Sequence, residues 1–130
     1  MFTPEQIKAA HSKVKSGADF PAYVQELIAL GVTNYETYVA DGHTDYFGET
    51  GFTISSDKKY EALTITGDTD VTQFEKKLKA HQQGKTDYLT FCRDCARSGV
   101  EKWKVDMQAM TCIYFGKTGN EMLAETIPAA

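Results

Sequence analysis

The stretch YFGETG at residues 46–51 returns as YFGKTG at residues 114–119, five of six residues unchanged across a spacing of 68. Two aromatics followed by two glycines read as a strand end running into a turn. Aromatics favour strands, and glycine takes positive φ without steric cost. Working outward at the same spacing, Asp19 pairs with Asp87, Phe20 with Tyr88 and Tyr23 with Phe91. Gly31 pairs with Gly99, Val32 with Val100 and Tyr35 with Trp103, and no gap is needed from residue 19 to residue 54. Upstream the spacing becomes 67, where Thr3 pairs with Asp70, Gln6 with Gln73, Ile7 with Phe74 and Gly17 with Gly84. One inserted residue near Thr86 accounts for the change. The matches fall on glycine, aromatic and capping positions, where backbone geometry or packing dictates residue type. The pattern reads as an internal duplication, with repeats of about 3–66 and 70–128 inside a single domain of residues 1–130.

Each repeat opens with helix signals. In TPEQ, Thr3 serves as N-cap, Pro4 starts the helix and Gln6 completes a capping box; DVTQ repeats the arrangement with Asp70 and Gln73. Gly17 and Gly84 stand where a left-handed C-terminal residue ends these helices. A second helix follows, capped by Asp19 or Asp87 and ended by Gly31 or Gly99. Its apolar face in the first repeat is Phe20, Tyr23, Val24, Leu27, Ile28 and Leu30, close to a 3.6 period.

The period then switches to two. Tyr35, Thr37 and Val39 alternate with Glu36 and Tyr38, and Trp103, Val105 and Met107 alternate with Lys102, Lys104 and Asp106. These are strands with one buried and one polar face. Asp41-Gly42 is a two-residue hairpin signal. A further strand follows Phe52 or Asn120, and YEALTIT at 60–66 offers an extra one. The fold class expected is α+β: a helix-helix-β-meander unit used twice, antiparallel sheet covered by four helices, with pseudo-twofold symmetry.

The net charge of −4 disfavours nucleic acid as a partner. No apolar run reaches the length that spans a bilayer, and MFTPEQIKAAH lacks the pattern of a signal peptide, so a cytoplasmic setting is expected. Three cysteines, an odd number, fit reduced thiols there.

Four motifs could carry chemistry. Cys92 and Cys95 form a C-x-x-C, the spacing of redox pairs and of zinc ligands. They align with Val24 and Leu27 on the apolar helix face, which favours packing, and no second ligand pair completes a zinc site. Asp41, His43 and Asp45 alternate along a strand, so their side chains share a face. A histidine between carboxylates could bind a metal or act as a general base; the alternative is a solvated turn and edge. His11 and His81 fall on apolar helix faces, which favours a satisfied core or interface histidine; the alternative is a pH-sensitive contact, since near a helix C-terminus the dipole favours the charged form. Tyr38 is out of phase with the buried stripe and, with Tyr46 and His43, is a candidate for a ligand or partner surface. FGKTG lacks the leading glycine of a phosphate loop, and its sibling FGETG carries glutamate in place of lysine.

The stretch from MFTPEQIKAAH through YFGETG, with HQQGKTDY and FCRDCARSGVEKWKVDM, resembles a family of small bacterial and prophage-encoded proteins. Its members are called YbcV-like or labelled "phage envelope protein", and the resemblance spans the chain. It implies an uncharacterised family, with no catalytic residues to transfer. The leading reading is a non-enzymatic binding or protein-interaction module, using no cofactor, whose partner is a protein, a small molecule or a second copy of the chain. The alternatives are a metal-assisted or general-base hydrolase at His43 with Asp41 or Asp45, and a thiol redox protein at Cys92 and Cys95.

Overall fold

A computed structural model describes residues 2–14 and 19–128. Two helices, α1 (Pro4–His11) and α2 (Phe20–Leu30), precede strands β1 (Val32–Tyr38), β2 (Thr44–Gly48) and β3 (Thr53–Ser55). The order then repeats as α3 (Val71–Gln82), α4 (Tyr88–Arg97), β4 (Val100–Asp106), β5 (Thr111–Gly116) and β6 (Glu121–Thr126). The strands form one antiparallel sheet in the order β3-β2-β1-β4-β5-β6. The expected α+β class, four helices on an antiparallel sheet, is what the chain adopts.

The two meanders meet at β1 and β4, with Tyr35 opposite Val105, Glu36 opposite Lys104 and Thr37 opposite Trp103. Glu36 and Lys104 are separated by the same 68 residues that separate the two hexapeptides. The bulges match as well, between Val32 and Asn34 in one meander and between Val100 and Lys102 in the other. Gly51 and Gly119 both take positive φ, 79° and 81°, as their turns require.

Local chemistry sets the helix starts. Thr3 accepts from the Gln6 N–H at 3.2 Å while the Gln6 side chain accepts from the Thr3 N–H at 2.9 Å, a complete capping box. Asp70 caps α3 by accepting from the Gln73 N–H, but the Gln73 amide turns away and donates to Ser98 Oγ at 3.2 Å. That second box is therefore half made. Asp87 caps α4 through the Thr90 N–H at 2.8 Å. The helix α1 ends at His11, and Gly17 lies outside the described residues.

The core fills one face of the sheet. Tyr35, Tyr46, Trp103, Val105, Cys112 and Tyr114 point into it, meeting Ile7, Tyr23, Val24, Leu27, Phe74, Leu78 and Phe91 from the four helices. Tyr23 packs on Tyr35 with ring centres 6.4 Å apart, Phe74 on Tyr114 at 4.8 Å, and Phe91 on Trp103 at 5.8 Å. Tyr38, Phe47, Ile113 and Phe115 lie on the other face, half-buried among their neighbours and outside that core. We call this the outer face.

Two local expectations fail. The β1–β2 connection is not a two-residue hairpin at Asp41-Gly42. Gly42 N–H reaches back to the Tyr38 carbonyl at 2.8 Å and Tyr38 N–H to the His43 carbonyl at 3.0 Å, which closes a longer loop with Gly42 at φ 76°. The segment 60–66 is not a strand either. Its backbone bonds go to the loop carbonyl of Ala40 and the helix-end carbonyl of Ala96, not to a sheet edge, while Ile65 plugs into the core. It ties β3 at one edge of the sheet to α3, so its alternating pattern serves a crossover.

Candidate functional site

Strand alternation decides which side chains gather on the outer face. Tyr38 lies opposite Lys102, Lys102 lies opposite Phe115, and Tyr38 is joined by its backbone to His43. The four side chains therefore form one row across the sheet, at the spacing at which cross-strand neighbours touch. His43 stacks on the Tyr38 ring, with centres 4.6 Å apart and planes 6° from parallel. The Lys102 ammonium sits 5.7 Å from the centres of both the Tyr38 and Phe115 rings and donates to Glu36 Oε1 at 2.7 Å. That hydrogen bond, working against desolvation, raises the Lys102 pKa and keeps it charged. Desolvation first, then the Glu36 charge, raises the Tyr38 phenol, with Lys102 opposing. The result is a pre-ordered row of rings around a held cation, a cation–π arrangement on both sides.

Asp41 fixes the end of the row. Its carboxylate accepts from the His43 backbone N–H at 3.0 Å and contacts His43 Nδ1 at 2.6 Å. Burial alone would raise the Asp41 pKa, but these two hydrogen bonds outweigh it and hold the carboxyl below its ordinary value. The proton on Nδ1 therefore faces Asp41, and Nε2 faces Asp45 at 3.7 Å, beyond hydrogen-bond reach. Asp45 is itself held by the Ser55 hydroxyl at 2.7 Å. The carboxylate thus stands between the serine and the histidine, an order in which His43 cannot take the serine proton. The two aspartates flank the ring on opposite sides and do not converge on one point. Among the described residues, no group of three or more His, Cys, Asp or Glu could hold a metal ion.

The structure separates the candidate binding residues. Tyr38 and His43 stand together on the outer face. Tyr46 lies on the helix face, where its hydroxyl meets that of Tyr23 at 3.3 Å. The reason is the phase of β2: Thr44 and Tyr46 face the helices, Asp45 and Phe47 face outward.

Cys92 and Cys95 are fully buried, at 0% exposure. Burial pushes the Cys92 thiol up, despite hydrogen bonds to Tyr60 and Tyr88, and it pushes Cys95 well up. Cys112 is pushed up to about 12, again by burial. A reactive pair needs access and a lowered pKa; these thiols have neither, and they occupy the places that Val24 and Leu27 fill in the first half. The packed reading fits His81 and the charged one does not, while His11 is exposed at the end of α1. His81 stacks on Phe91 at 4.3 Å, and desolvation lowers its pKa although the Thr86 carbonyl and nearby carboxylates pull the other way.

Sequence reading missed Lys102 and Glu36. Both appeared only as the polar phase of a strand. A signal existed: β1 and β4 pairing antiparallel about positions 68 residues apart, as Glu36 and Lys104 do, brings Lys102 beside Tyr38.

The fold and this surface define a small α+β protein that packs its helices on one sheet face and presents an ordered aromatic-cationic row on the other. Residues 8–126 match the family described as protein of unknown function (DUF1398), and the chain belongs to that family. No curated protein matches it. Among the described residues, no helix is long and apolar enough to cross a membrane.

Proposed function

We propose that this chain is a non-enzymatic protein-interaction module whose contact surface is the outer face of the sheet. The observation that carries the reading is Lys102, fixed between the Tyr38 and Phe115 rings and tied to Glu36. Ordering these side chains in advance removes an entropic cost that binding otherwise incurs, and tyrosine is a frequent interface anchor. The matched element order, bulges and β1–β4 register support an origin by tandem duplication, with two repeats of about 3–66 and 70–128 making one domain. A cytoplasmic setting, bacterial or prophage in origin, accords with three cysteines that are all free.

The test is a photo-crosslinking phenylalanine analogue placed at position 38 or 115 in cells. A discrete adduct with one protein is expected from both, and none from the exposed position 76 on α3. Equal adducts from all three positions, or none from any, would overturn the reading. An adduct at twice the chain's own mass would make the partner a second copy.

A second reading, general-base hydrolysis at His43, draws on the 2.6 Å contact with Asp41. It expects turnover of activated esters that His43→Ala abolishes and Tyr38→Leu leaves intact. Equal loss in both variants, or no turnover at all, would retire it.

A further inference from the structure

On the helix side, α1 and the β2–β3 hairpin enclose a cleft of about 340 Å³. That lies at the lower end of the range of small-molecule pockets, about 300–1,000 Å³. Residues of the first half supply most of its lining, with Tyr88 of α4 added from the second. At the corresponding place in the second half, Phe74 and Leu78 of α3 are buried, and the Phe74 ring packs edge-on against Tyr114. In the first half α1 carries the smaller Ile7 and the polar His11 at those positions. Both Ile7 and His11 line the cleft.

The lining chemistry is selective. Lys8, Lys59 and His11 all face the cleft, and among the described residues no carboxylate lines it. This holds in a chain whose net charge is −4. The hydroxyls of Thr44 and Tyr46 stand at its floor. Each is already paired, Thr44 with Thr37 at 2.8 Å and Tyr46 with Tyr23 at a long 3.3 Å, yet a hydroxyl has one donor and two acceptor sites and can serve a ligand as well. The positions corresponding to Thr37 and Thr44 are Val105 and Cys112, also directly opposite each other, so the fold itself has no need of hydroxyls there. Ile7 and Ile54 supply an apolar wall. Desolvation lowers the His11 pKa, and the Lys59 charge lowers it further.

We infer that this cleft binds a small organic carboxylate with an apolar body, its charge toward Lys8 and Lys59 and its body against Ile7 and Ile54. The surface lies on the opposite side of the sheet from Tyr38, so the two proposals stand or fall separately.

The experiment is an amide chemical-shift titration of the full chain with octanoate, with 1-octanol and inorganic phosphate as separate arms. Octanoate is expected to give saturable shifts at Ile7, Thr44 and Ile54, and each other probe to bind at least roughly tenfold more weakly. Lys8→Met with Lys59→Met should weaken octanoate by a similar factor. His11→Leu, which copies Leu78, should abolish binding while the spectrum stays that of the folded chain. Tyr38→Ala should change nothing at the cleft. Octanol binding as tightly as octanoate, phosphate alone sufficing, a double lysine variant that binds normally, or no saturable shift would each overturn the inference.

Discussion

Gly31 and Gly99 occupy equivalent places, both left-handed, with φ 102° and 87°. Alanine at either position should not cost the same. At Gly31 an added Cβ would meet nothing within 4 Å. The cost of Gly31→Ala is then the backbone term alone, about 1–2 kcal/mol for an L-residue held in the left-handed region. At Gly99 the Cβ would lie 2.6 Å from the Asp68 carbonyl oxygen and 3.0 Å from the Thr69 Cα. Those are backbone atoms, and they cannot swing aside as a side chain could. The segment is pinned to the end of α4 by hydrogen bonds from Thr66 N–H to the Ala96 carbonyl and from Asp70 N–H to the Ser98 carbonyl, both 2.9 Å. Moving it strains or breaks these bonds, at about 1 kcal/mol each. Gly99→Ala should therefore destabilise by roughly 3–4 kcal/mol in total. For a chain of this size, each kcal/mol lowers Tm by about 3–5 °C. Urea unfolding followed by far-ultraviolet circular dichroism measures both variants, and unchanged m-values show that the denatured states are comparable. Equal losses at the two glycines, within about 0.5 kcal/mol, would refute the packing of residues 68–69 against α4.

Two other outcomes follow from burial. In the native protein a thiol-specific disulfide reagent should leave Cys92, Cys95 and Cys112 unmodified over minutes, and in concentrated guanidinium all three should react; rapid native labelling of Cys92 or Cys95 would revive the redox reading. The second concerns His81, whose folded pKa lies below the ordinary 6.5. Below that value the unfolded chain takes up a proton that the folded chain resists, so stability is full above 6.5 and falls as pH drops through it toward the folded value. The urea midpoint should drop between about pH 7.5 and pH 5.5, and His81→Gln should flatten part of that drop; an unchanged slope in the variant would count against the buried neutral ring.

The sequence carried the α+β class, the helix starts, the strand phases and the position of Tyr38 out of phase with the buried stripe. Those are local matters. A capping box needs only Thr3 and Gln6, a strand face follows from alternation, and at a spacing of 68 the same kinds of residue recur at glycine, aromatic and capping positions. Tertiary structure decided what the pattern alone left open. It turned residues 60–66 from a strand candidate into a crossover, because their backbone partners are a loop and a helix end. It sent Tyr46 to the helix face and brought Lys102 from a distant strand to lie between Tyr38 and Phe115. It also left a cleft where Ile7 and His11 stand in place of Phe74 and Leu78. Burial, charge pairing and empty space belong to atoms far apart in the chain, so no window of sequence, however regular, contains them.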